Sequence, residues 1–443
     1  VPEWSEADKI VSRINPPQFR PQDYDVTGYG AVGDGKTDCR PAIQAAIDKC
    51  TAEGGGRVVV PEGEYLVNGP LVLKSGVNFH VAKGAAVEFS AVPEHFLPMV
   101  LTRWEGTEVY NYSPFIYVPK ATDVAITGEG IIDGKAEKTF GSWKPHQNPS
   151  KMALRKMGAE GVPVEERRFG PEGKLRPSLI QFFNCRNVLV EGVTIKDSPF
   201  WVIHPVYCEN VTVRKVTVDS WNPNNDGVDP DSSRDVLIED CVFYTGDDSV
   251  ALKSGRDQDG WRVGKPTENI VIRNCNLKSE CNGLCIGSEM SGNVRRVFME
   301  NCTVGDALSA IYFKSNPDRG GVVEKIRIRN IATRSAETAF IRFETRYKGQ
   351  RGNYFPPQFQ DILVENVSCD EAQGYGILAE GLPDKPLRDI VLRNVTIRQA
   401  EVPQRVRYVE DFVYENVFIN GKSVEPRVLS EEEAGEEKVK KTW

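Results

Sequence analysis

A seven-residue frame, Asn or Asp followed by apolar-x-apolar-x-Asn-apolar, recurs through the second half of the chain and limits the fold more than any other feature. It reads NVLVEGV from Asn187, NVTVRKV from Asn210, DVLIEDC from Asp235, NIVIRNC from Asn269 and RVFMENC from Arg296. It continues as KIRIRNI from Lys325, DILVENV from Asp361, DIVLRNV from Asp389 and DFVYENV from Asp411, with an earlier copy, DVAITGE, at Asp123. From Asn187 on, the steps are 23, 25, 34, 27, 29, 36, 28 and 22 residues, which suit single coils carrying loop insertions. Each frame alternates with period two and is rich in Val and Ile, so it predicts a strand with one buried face. Helical periodicity is nearly absent here, and parallel strands without crossover helices lead to a solenoid.

The expected fold is therefore all-β, a right-handed single-stranded parallel β-helix. Cys241, Cys275 and Cys302 fall six places after successive frame starts, and Cys185 and Cys208 fall two before, which predicts ladders of buried free thiols. The triplet NVT at Asn210 lies inside such a strand and is read as a repeat position, not a glycosylation site. A solenoid needs covered ends. TDCRPAIQAAIDKC places Ile43, Ala46, Ile47 and Cys50 on one helical face after a capping Thr37 or Asp38, predicting a short N-terminal capping helix. Length alone, 443 residues, would suggest about three domains, but the repeats turn it into one β-helix over 1–443. Within it, 23–66 form the cap and first coil, 187–420 the regular coils, and 430–443 a charged, frayed tail.

No apolar run approaches the roughly 18 to 20 residues that span a bilayer, so no membrane is expected. A net charge of −8 disfavours nucleic acid as a partner. One segment departs from that balance. Residues 135–178 lack the frame and carry ten basic against five acidic residues, read either as a solvated loop or as a cationic wall beside a cleft for an anionic substrate.

After each frame comes a second strand: PFWVIHPV, DDSVALKS, NGLCIGSE, SAIYFKSN and TAFIRFET. Taking Ile203, Leu252, Ile286, Phe313 and Phe343 as one inward row puts His204, Lys253, Gly287, Lys314 and Glu344 outward in a second. Two residues back lie Val202, Ala251, Cys285, Tyr312 and Arg342. Such a floor suits a carboxylate-bearing polymer. Above it SWNPNNDGVDPDSS and GDD bring Asp226 to within a coil of Asp247 and Asp248, at a spacing that could serve glycoside hydrolysis or hold Ca2+. Vicinal acids also push one pKa up, as a general acid requires.

NNDGVD from Asn224, GDDSVALKSG from Gly246 and the Lys of IYFKSN resemble the polygalacturonase family, glycoside hydrolase family 28, and GAVGDGKTD at Gly30 is similar to its N-terminal coil. The resemblance spans about residues 23 to 420 and points to a divergent exo-polygalacturonase-like or rhamnogalacturonan-hydrolase-like member. It implies an inverting hydrolase acting on pectin without a metal or other cofactor. It matches Asp247 to the general acid, Asp226 and Asp248 to the pair that activates water, and Lys314 to a residue binding the substrate carboxylate. Two departures stand out. The family's Gly-His-Gly has no His here, its place falling at Cys281 or Asn282, and the Arg two before its Lys is Tyr312. An altered leaving-group subsite, accepting rhamnose or another neutral sugar, is expected, with Arg342 one coil on able to compensate. Lys253, Asn224 and Tyr312 are further substrate-binding candidates, and His204 is either a structural residue or part of the glycone pocket.

The expected partner is an acidic plant polysaccharide or oligosaccharide, met by a monomer outside the cytoplasm, secreted or periplasmic. The basic insertion is expected to close one end of the cleft and make cleavage exo-acting. The rival readings are a Ca2+-dependent pectate lyase and a non-catalytic carbohydrate-binding β-helix.

Overall fold

Each frame is one strand held between two tight corners, and the corners explain its Asn and Asp. The first residue of every frame has a left-handed backbone, with φ from 48° at Asp411 to 59° at Asp123 and Asn269. From Asp240 to Asn416 the sixth-place residue is left-handed as well in most frames, for instance Asn274, Asn301, Asn330, Asn366 and Asn394. Short polar side chains tolerate that conformation, whereas branched ones pay about 1–2 kcal/mol for it. The corners stack too, Asn394 Nδ2 donating to Asn366 Oδ1 at 2.9 Å and Asn416 to Asn394 at 2.8 Å.

The computed structural model describes residues 2–90 and 92–436. Its strands form a right-handed parallel β-helix whose ladder runs from Asp23 to Ile419. The frames keep one register throughout: Val211, Val236, Ile270, Val297, Ile326, Ile362, Ile390 and Phe412 are successive partners. All eight are buried, and each buried aliphatic side chain contributes about 1.5–3 kcal/mol. The ten cysteines are free. Cys275 has Cys241 on one side and Cys302 on the other within hydrogen-bond reach, and Cys185 meets Cys208, forming the expected thiol ladders.

Helix α1 (Pro2–Arg13) was not anticipated. Trp4, Ala7, Ile10 and Ile14 pack on Leu237, Val271 and Phe298. Those three are the outward middle residues of consecutive frames, an apolar patch visible in DVLIEDC, NIVIRNC and RVFMENC. Helix α2 (Arg40–Ala52) buries Ile43, Ala46, Ile47 and Cys50 as expected. Its N-cap is Cys39, not Thr37 or Asp38, although Asp38 Oδ1 accepts from Arg40 N at 3.0 Å.

The basic segment is not a solvated loop. It contains helix α3 (Asn148–Glu160), and its Arg167 makes a buried 2.9 Å ion pair with Asp259 of helix α4 (Asp257–Val263). Asp259 also accepts from Glu108 N in a hairpin, Val100–Trp104 with Thr107–Asn111, that turns through Glu105 and Gly106. In the charged tail, helix α5 (Glu431–Glu436) is ordered against the last coils, Arg405 donating to Ala434 O, and residues 437–443 lie outside the described residues.

Candidate active site

Three carboxylates meet where two adjacent coils turn into the third face of the helix. Gly227 N donates to Asp248 O and Val228 N to Ser249 O, which fixes the coil of Asp226 directly against that of Asp247 and Asp248. One carboxylate oxygen from each of the three lies within 4.8 Å of the others.

Their surroundings drive them apart in acidity. Burial and then the Asp248 carboxylate push Asp247 up to about 6. Burial also raises Asp248, but Lys314 and Lys253, with the Asn282 amide, outweigh it and hold its carboxyl below the usual range. Lys314 Nζ donates to Asp248 Oδ2 at 3.2 Å and Asn282 Nδ2 to Oδ1 at 2.8 Å. Asn282 thus stands where the resemblance expects His, while Cys281 reaches only Gly246 O.

The chain adds a fourth acid that sequence reasoning missed. Asp229 is fully buried within hydrogen-bond reach of Asp226, and its carboxylate has no other partner among the described residues. Burial raises both, and two facing carboxyls cannot both ionise there, so the pair holds one proton between them. The signal lay in NNDGVD: Asp229 is one place beyond inward Val228 and so faces outward.

The floor is shifted from the expected register. Ile203 partners Val228, which partners Val250, while Leu252 heads the row Ile286, Phe313 and Phe343. His204 therefore shares a row with Asp229, Ala251, Cys285, Tyr312 and Arg342, and Lys253 partners Asp231. A two-residue slip leaves every side chain on its own face, so alternation could not reveal it.

That shift also settles His204. It is fully buried, Nε2 meeting Asp231 at 3.0 Å and Nδ1 meeting Ser178 and Gln181, while Asp231 pairs with buried Arg103 at 3.0 Å. Both ring nitrogens are satisfied inside the wall, so it is not available to a sugar. Lys253 is likewise 3% exposed, donating to Gly287 O at 2.6 Å and pairing with Glu289 at 3.3 Å. It lends charge to the acids without reaching the cleft.

On the other side Lys314 lies over the rings of Tyr347, at 4.9 Å, and Tyr312, at 5.5 Å. The Tyr312 hydroxyl donates to Glu344, and Arg342 stacks on Tyr312 at 4.9 Å while pairing with the same Glu344 at 3.1 Å. Asn224 Oδ1 accepts from Lys144 Nζ at 2.9 Å and Arg176 Nη2 at 2.5 Å, so the basic insertion reaches the acid cluster.

The three carboxylates could hold a cation by spacing alone. Asp248, however, already accepts from an ammonium and an amide, which supply the charge and donors that a cation would otherwise bring. Without one, the set offers a protonated acid beside an ionised carboxylate and a proton-sharing pair, the equipment for cleaving an acetal with water.

The profile of Glycosyl hydrolases family 28 matches residues 50–415. The chain belongs to that family. It is a glycoside hydrolase, and the non-catalytic reading falls away. Among curated relatives the hydrolase is 30% identical to a "Probable polygalacturonase" of Vitis vinifera, over 85% of this chain and 74% of the relative. It is 26% identical to the exo-poly-alpha-D-galacturonosidase of Dickeya chrysanthemi, over 80% and 63% respectively. Among solved structures, a hyperthermoactive exopolygalacturonase from Thermotoga maritima superposes with a TM-score of 0.92 at 40% identity, covering 95% of this chain and 96% of that one.

Proposed function

We propose that this hydrolase removes galacturonate residues from the end of pectic galacturonan by single displacement with inversion. The observation that carries the reading is the split acidity of the acid cluster. Asp247, pushed up to about 6, protonates the glycosidic oxygen. A water held between Asp248 and the Asp226–Asp229 pair attacks the anomeric carbon from the opposite face and gives its proton to the ionised carboxylate. The nearest-oxygen spacing of 4.8 Å is short for an inverting enzyme, so stereochemistry is a direct test. Proton NMR of the first product formed should show the anomer opposite to the α-linked substrate; retention would remove the single-displacement mechanism.

Exo action is supported by the basic insertion lying against Asn224 through Lys144 and Arg176. Early products from polygalacturonate should then be one small species, with viscosity falling slowly relative to reducing ends. On the leaving-group side Lys314 is the cation nearest the acids, and Glu344 offsets Arg342. That side is accordingly proposed to tolerate a neutral leaving sugar, which rhamnose-containing oligomers would test.

The spacing of the carboxylates keeps one second reading open to trial, a Ca2+-dependent lyase. It predicts an unsaturated product absorbing in the near ultraviolet and arrest by chelator, whereas hydrolysis predicts neither. An acidic plant polysaccharide as substrate fits a monomer working outside the cytoplasm or in a periplasm. No described helix is long and apolar enough to cross a membrane.

A further inference from the structure

A second group of charges, beyond the acid cluster, is not used by this mechanism. The hairpin tip at Glu105 meets Arg155 of α3, whose Nη2 donates to Glu105 Oε2 at 3.1 Å, and Arg256, whose Nε donates to Glu105 O at 3.2 Å. Arg256 is 5% exposed and also reaches Glu289 at 3.5 Å. Yet Arg256 Nη1 and Arg155 Nε are buried with no hydrogen-bond partner among the described residues. Both guanidinium groups flank one point. A Cβ placed on Gly349, whose φ is +90°, would stand 3.1 Å from Arg155 Nη1 and 3.9 Å from Arg256 Nη1.

The charge there does not balance. Lys151 lies within electrostatic reach of Glu105, Arg155, Arg256 and Lys144, and Lys144 in turn of Asp247 and Lys348. Glu105 is shared among these cations, and Glu289 is also claimed by Lys253. Burial and crowding by Arg256 bring Arg155 down to about 10, still a cation at neutral pH. Buried guanidinium donors left unpaired beside a surplus of positive charge are costly unless an anion completes them. Gly349, bare of a side chain, leaves the approach open.

We infer that Arg155 and Arg256, with Lys151 beside them, form a carboxylate-binding site for the terminal galacturonate on the glycone side of the scissile bond. The site rests on the exo reading above, because Lys144 links it to Asp247 on the side of the insertion, away from Lys314 and Tyr312. A guanidinium pair recognises a planar carboxylate through parallel donors and does so poorly for its ester. The anchored terminal sugar then admits one residue and excludes a continuing chain.

The test compares trigalacturonate with the same trimer methyl-esterified only at its non-reducing terminal residue, by kcat/KM. The wild-type enzyme should prefer the free acid by about 10²-fold or more. Arg155→Met should lower kcat/KM for the acid about 10- to 100-fold while leaving the ester within about threefold, so that discrimination collapses. Arg155→Lys should recover part of it. An equal loss on both trimers in Arg155→Met would mean that Arg155 merely props the hairpin, and would overturn the inference. So would a wild-type enzyme indifferent to the ester. If the wild type hydrolyses neither trimer nor polymer, the proposed function fails with it, an outcome distinct from the other two.

Discussion

Asp247 and Asp248 are neighbours in sequence with opposite acidities, and that contrast comes from what each side chain meets. Asp248 faces Lys314 and the Asn282 amide, whereas Asp247 has burial and a carboxylate beside it. The rate profile follows from the signs. Asp247 must keep its proton, so kcat/KM should fall as pH rises through about 6; Asp248 must lose its own, which sets an acid limb well below that. Asn282→Ala removes a donor to the ionised form of Asp248 and should move the acid limb up by about one pH unit. An unmoved acid limb would show that the amide does not tune this carboxylate. Asp247→Asn should lower kcat by about 10³-fold or more with circular dichroism unchanged. It should also stabilise the fold at alkaline pH. A raised carboxyl contributes stability that is complete below its unfolded value near 4 and lost as pH rises through about 6. The variant escapes that loss, gaining about 1–2 kcal/mol at pH 7.5 after allowing for partial exposure, and nothing at pH 3.5. Thermal melts at the two pH values measure the difference.

At the scale of the element, the coil depends on its corners as much as on its apolar stripe. Asn366 is exposed, left-handed with φ of 54°, and accepts from Asn394 at 2.9 Å. Asn366→Val should cost about 1–2 kcal/mol although no core contact changes, while Asn366→Gly should stay within about 0.5 kcal/mol. Equal costs in urea titrations would point to the lost hydrogen bond as the cause. The insertion obeys another logic. It carries no repeat, so nothing in its own pattern places it, and buried Arg167–Asp259 and Arg176 seat it on the coils. Four of its basic residues, Lys144, Lys151, Arg155 and Arg176, thereby gather along one side of the cleft.

For the whole molecule, the net charge of −8 is a poor guide to what the surface attracts. Acids and bases are segregated, with cations of the insertion and of the last strand of the cleft facing an anionic polymer. Encounter with polygalacturonate should therefore slow as salt rises. Between about 50 and 500 mM NaCl, kcat/KM should fall several-fold for the polymer and much less for a trimer. A polymer rate flat in salt would argue against the cationic cleft as a steering device.

The regular repeat made the β-helix, the thiol ladders, the capping helix and the meeting of Asp226 with Asp247 and Asp248 legible from sequence, because stacking in register converts sequence period into spatial adjacency. Tertiary structure decided what lies off that period. The two-residue register shift of His204 and Lys253 is invisible to alternation, which is unchanged by a slip of two. Asn282 and Asp229 acquire their roles from neighbours a coil away, and α1 finds its seat more than two hundred residues downstream on Leu237, Val271 and Phe298. The pairing of Arg155 and Arg256 at Gly349 joins a helix, a hairpin tip and a late loop that share no motif. Local pattern specifies the strand and its corner, but the charge that one buried group feels is summed over everything packed around it, and only the folded chain performs that sum.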